Sequence, residues 1–235
     1  MTDSQTRIPA ARRWPQIYAF SRGAVLLFAT LTGIAMLIYP GGTLRNPSTR
    51  GYLFFQNFLS DLGTTVTWGG HRNAYGSSLF VLSVVFIVLA VVPCFRSFIK
   101  LYSSPASRKW TRAATVTAVC AAIGFIGVAL TPTDRFFGIH FRGVLVAFEG
   151  TLLTALFFSF ATARNARFPR RVAAAWFVMT LLLAMYIVVL TWGPPPQTDH
   201  GLVVQVTAQK ITVAGVLVIV AYQTYEAERV VVSDQ

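Results

Sequence analysis

The chain reads as an all-α membrane protein, a polytopic bundle of six transmembrane helices with a short interfacial helix in the first outer loop. Three observations lead there. Of 235 residues, 54% are hydrophobic and only 12% charged, roughly half the charged share of a soluble domain. The apolar residues gather in six runs, each longer than the ~18 residues that mark a spanning helix. The basic residues fall in bursts between those runs, alternating from one side to the other, as membrane topology requires. These figures exclude a disordered chain, a coiled coil and a disulfide scaffold. One transmembrane domain, 1–235, is expected, with tails at about 1–18 and 223–235.

The first run, 19–39, is too long for a signal-peptide core and lacks a small-x-small cleavage site after it, so it reads as a helix. After it, Asn46-Pro47-Ser48 can open a turn or cap. A short helix over 50–63 then follows, with Phe55, Phe58, Leu59 and Leu62 on one face and Gly63 placed to end it. The remaining runs are 75–95, 113–131, 143–163, 172–192 and 201–222. In the third, Ala113, Thr117, Cys120, Gly124, Gly127 and Thr131 form a small-residue stripe for close helix approach. The fifth ends at Trp192-Gly193-Pro194-Pro195-Pro196; the prolines stop the helix, and Trp192 suits an interface anchor. Cys94 and Cys120 lack the spacing of a metal or redox centre and read as small residues of a packed bundle.

Basic residues fix the orientation. The tail before the first run carries Arg7, Arg12, Arg13 and Arg22. The second connection carries Arg96, Lys100, Arg108, Lys109 and Arg112, and the fourth carries Arg164, Arg167, Arg170 and Arg171. With Arg229, that side holds fourteen basic residues. The other side holds five: Arg45, Arg50, Arg72, Arg135 and Arg142. The positive-inside rule therefore puts both termini in the cytoplasm of a cell-membrane protein. A net charge of +12 distributed in this way is topological and does not mark a nucleic-acid binder.

Polar groups collect on the outer side. His71, His140 and His200 all lie there or at adjoining helix ends, as do Asp61, Asp134 and Asp199. Two charges lie deeper: Glu149, roughly 9 Å into the fourth span, and Lys210, roughly 13 Å into the sixth. An unpaired charge at such depth is costly, so the two are expected to face the interior and interact. Arg142 precedes Glu149 by two turns on the same face, and Gln205, Gln209 and Thr212 form a stripe on the sixth span. An ion pair that fixes helix register is the plainer alternative to a binding cavity.

Asn57-Phe58-Leu59-Ser60-Asp61-Leu62-Gly63 after a first membrane helix resembles domain-of-unknown-function family 998, which is similar to the Frag/DRAM/Sfk group of six-helix membrane proteins. Pro132-Thr133-Asp134 with His140 resembles that family's second outer element. Gln209-Lys210 resembles a polar pair of its last helix, where Arg is more usual than Lys. The resemblance implies six spans and marks Ser60, Asp61, Asp134 and His140; it implies no substrate.

Three functional readings follow. One is a pocket open to the outside that binds a lipid headgroup or small polar ligand, using Ser60, Asp61, Asp134, His140, Arg142, Glu149, Gln205, Gln209 and Lys210, with membrane lipids as partners and no cofactor. The second is a metal-dependent intramembrane hydrolase holding zinc on His71, His140 and His200. Its residue set resembles that of ceramidase-like hydrolases, although their HxxxH pair is absent. The third is a proton-coupled transporter using Glu149 and Lys210 as a relay, although no inverted repeat is visible. No nucleophile elbow, phosphate loop or dinucleotide fingerprint occurs.

Overall fold

The computed structural model describes residues 14–102 and 104–233; Arg7, Arg12 and Arg13 lie outside them. Among the described residues six α-helices are present: α1 (Trp14–Leu37), α2 (Ala74–Leu101), α3 (Pro105–Leu130), α4 (Thr133–Ala163), α5 (Arg170–Trp192) and α6 (Asp199–Ser233). All six are long and apolar enough to cross a membrane. The chain is thus an all-α, multi-pass membrane protein.

Local chemistry sets the helix limits. Ser104 caps α3 by accepting from the Ser107 amide, with Pro105 in the first turn, where a missing N–H costs nothing. Thr198 does the same for α6, accepting from the Gly201 amide at 3.0 Å. Pro169 precedes α5, and Gly193 with the following prolines ends it. Near its start α4 is broken at Phe136, whose φ of −132° and ψ of 43° are not helical.

The helices form a closed ring in chain order, each packed on the next, and α1 returns to α6. Three bonds show that neighbours run antiparallel. Ser97 Oγ donates to Tyr18 Oη at 3.0 Å, Thr117 and Thr154 share a bond of 2.9 Å, and Trp176 Nε1 donates to Gln223 Oε1 at 2.8 Å. One end is therefore rich in Arg and Lys and carries the first and last helix ends, joined by the Arg22–Glu228 ion pair. That end has an aromatic core: Tyr102 stacks on Phe168 at 4.8 Å, and Phe158 packs on Phe95, Phe98 and Trp176.

α3 and α4 approach most closely. A Cβ on Gly124 would lie 2.4 Å from the Ala147 amide nitrogen, so only glycine fits there. The expected stripe is realised in part. Gly124 and Thr117 meet α4, whereas Cys120 is exposed and Gly127 faces open space. The expectation of a packed Cys120 is thereby corrected, and the buried α3 face is Ala114, Ala118, Ala121, Gly124 and Val128.

Residues 38–73 fold into a cap over the end opposite the basic one. The Asn46 side chain accepts from the Ser48 amide at 3.0 Å, forming the expected turn. The expected helix over 50–63 shrinks to a single 3-10 turn, Leu59–Gly63. Side chains here take the backbone bonds that a helix would use. Asn57 Oδ1 accepts from the Leu53 amide at 3.0 Å, and Tyr52 Oη donates to the Asn57 and Phe58 carbonyls.

Candidate functional site

Asn57, fully buried, is the hub of the cap. Its Nδ2 donates to the Gly42 carbonyl at 2.9 Å and to Asp61 Oδ2 at 3.1 Å. Asp61, 3% exposed, also accepts from the Phe58 amide at 2.9 Å, which caps the 3-10 turn, and from Trp68 Nε1 at 3.1 Å. Burial pushes its carboxyl above the usual carboxylate range, against these donors and the Lys210 charge. Burial also raises the Tyr52 phenol, with Asp61 adding to the effect.

α6 reaches up to this cluster. Lys210, 8% exposed, donates from Nζ to the Asn57 carbonyl. Its ammonium lies 5.2 Å from the Tyr52 ring centroid and 4.9 Å from that of Phe54, so aromatic faces replace part of its hydration. Next to it, Gln209 Oε1 accepts from the Leu59 amide at 2.8 Å. The partner of Lys210 is thus the cap, with Asp61 as its counter-charge.

Glu149 is exposed on the outside of α4 and takes part in no ion pair among the described residues. The expected Glu149–Lys210 interaction is overturned. The α4 face buried in the bundle is Val144, Ala147, Phe148, Thr154 and Ala155, and at 100° per residue Glu149 falls off it. Counting residues along the run carried no rotational phase. Arg142 is exposed as well.

The other marked residues tie elements together. Asp134 accepts from the Thr65 amide at 3.0 Å, the Thr65 hydroxyl at 2.6 Å and the Val66 amide at 3.1 Å, latching the cap to α4. His140 is buried, its Nδ1 bonded at 2.6 Å to the Thr131 carbonyl at the end of α3, with Nε2 buried and unpartnered. Gln205 Nε2 donates to the Val189 carbonyl at 2.6 Å and the Pro194 carbonyl at 3.3 Å, holding α5 to α6. His71 and His200 are exposed. Among the described residues no three His, Cys, Asp or Glu side chains come together as a metal site, so the three histidines do not converge.

Beneath the cap lies a cavity of about 160 Å³. Every helix contributes to its wall, including Phe28 of α1, Val88 of α2, Ala122 of α3, Phe148 of α4, Met179 of α5 and Val213 of α6. Ser60 and Gln209 stand at the cap end. The α2 wall alone runs from Phe80 to Phe95, roughly 22 Å along the helix axis. An apolar cavity of this size stays dry and takes apolar guests.

Sequence reasoning missed Asn57, Tyr52, Trp68 and Thr65 as positioning residues. Asn57 stands four residues before Asp61, a spacing that could have signalled it; nothing in the sequence marks Tyr52 or Thr65. Comparison of the chain with protein-family models, with curated proteins and with solved structures gave no match.

Proposed function

We propose that this protein binds a membrane lipid, taking a hydrocarbon chain into the central cavity while the lipid's polar end rests against Ser60 and Gln209 below the cap. The observation that carries this reading is the cavity, apolar along the helices and polar at one end. A small polar ligand would need convergent hydrogen-bonding groups, and those of Lys210, Asp61, Asp134 and Gln205 are already taken up by the protein. Placement in the cell membrane with cytoplasmic termini belongs to the same proposal, supported by the sidedness of the basic residues. Kinship with family 998 is also part of it, supported by the residue 57–63 string, whose Asn57 and Asp61 organise the cap.

The test is lipid retained through purification in mild detergent, extracted and quantified by mass spectrometry. Wild type is expected to hold a chain-bearing lipid in fixed ratio to protein. Val88→Phe, which fills the cavity, is expected to lose it. Leu89→Phe, at an exposed position one residue on, is expected to keep it. Equal retention by both variants would overturn the reading.

A further inference from the structure

At the basic end, the α2–α3 and α4–α5 connections form one platform. Tyr102 Oη bonds Thr162 Oγ1 at 3.0 Å, and the Tyr102 and Phe168 rings stack. On the lipid-facing side of this platform, two cations converge on one indole. Lys109 Nζ lies 5.1 Å from the Trp110 ring centroid, and the Arg164 guanidinium carbon lies 5.8 Å from it. Arg164 also lies 5.6 Å from the Phe160 ring. Trp110 packs on Phe160 at 5.1 Å and on Phe157 at 6.0 Å.

Among the described residues no acid answers these charges. Neither connection contains Asp or Glu. Glu226 and Glu228, the described acids at this end, are held by Arg171, Arg229 and Arg22. Two like charges gathered around one ring repel each other, a cost that a bound anion removes. The positive-inside rule explains why cations sit at this end but not why two of them share a single ring. A second observation points the same way: Trp110 Nε1 is buried and has no acceptor among the described residues. Beside the cluster, Arg112 and Val116 are exposed one and two turns along α3, so a cationic rim borders an apolar surface.

We propose that Lys109, Trp110 and Arg164 form a site for the phosphate of an anionic phospholipid, whose chains lie along the outer surface of α3 and α4. The cations meet the phosphate, the indole sits at headgroup level, and the exposed apolar side chains contact the chains. This site is separate from the central cavity and shares no lining residue with it.

The full chain, placed in lipid nanodiscs, is titrated with phosphatidylglycerol against phosphatidylcholine, and bound lipid is counted by native mass spectrometry. Wild type is expected to favour the anionic lipid by about tenfold, and Lys109→Gln with Arg164→Gln to remove that preference. A control that loses the same charge on this end, Arg96→Gln with Arg170→Gln, is expected to keep it. Trp110→Phe, which retains the ring and loses the N–H, is expected to weaken it in part. The single Lys109→Gln and Arg164→Gln variants carry the same test should the double variant not fold. Excess inorganic phosphate is expected to leave the bound lipid in place. Equal losses in site and control variants, no preference in wild type, or displacement by free phosphate would each overturn the proposal.

Discussion

Asn57 holds the Gly42 carbonyl, the Asp61 carboxyl and the Leu53 amide with its side chain, while its own carbonyl receives Tyr52 and Lys210. Asn57→Ala removes three bonds at once, two of them fully buried, and a cost of about 2–4 kcal/mol is expected. A lower melting temperature together with faster proteolysis within residues 38–73 would record it; proteolysis unchanged from wild type would count against the hub. Asp61 gives the cap a pH dependence. Its folded value lies above the unfolded one because of burial, so its contribution is complete below the unfolded value and is lost as pH rises through the folded one. Protection factors in the cap, with the intrinsic exchange rate divided out, are expected to fall as pH rises through the folded value of Asp61, and Asp61→Asn to flatten that profile. Asp61 was legible as a marked residue. Its surroundings were not, because partners from Gly42 to Lys210 are brought together only by tertiary folding.

At the level of the helices, the α3–α4 contact turns on one missing side chain. Gly124→Ala places a Cβ against the Ala147 backbone, and an overpacking loss of about 1–3 kcal/mol is expected. Gly127→Ala meets nothing within 4 Å and is expected to be neutral or slightly stabilising; thermal melts of the two variants check this directly. Both glycines stand in the same sequence stripe, so spacing alone could not separate them. Rotational phase also decided the fate of Glu149. Glu149→Leu is expected to leave melting temperature and cap protection unchanged or improved, whereas Lys210→Leu, which takes the donor from Asn57, is expected to lower both. The six helices were legible because hydropathy reports the solvent each segment meets. The cap helix was not, because hydrogen-bonding side chains of Tyr52, Asn57 and Asp61 outcompete an amphipathic pattern.

For the molecule as a whole, sidedness is the testable quantity. Cysteines introduced at Arg72 and at Arg108 sit at opposite ends of α2 and α3. In intact cells an impermeant thiol reagent is expected to label position 72 and to reach position 108 only after permeabilisation; the reverse pattern would invert the orientation. The ring itself could not be read from the runs, since hydropathy says which segments span and nothing about which ones touch. Its closure sets an order of events during synthesis. The cap leaves the ribosome between the first two helices, yet the lysine that fastens it stands 153 residues downstream of Asn57. At ordinary elongation rates that gap lasts roughly 8–30 s. Throughout it Asp61 waits beside a nascent chain that has not yet delivered its counter-charge. A ribosome that stalls before the sixth helix would leave the flap unfastened and open to proteolysis.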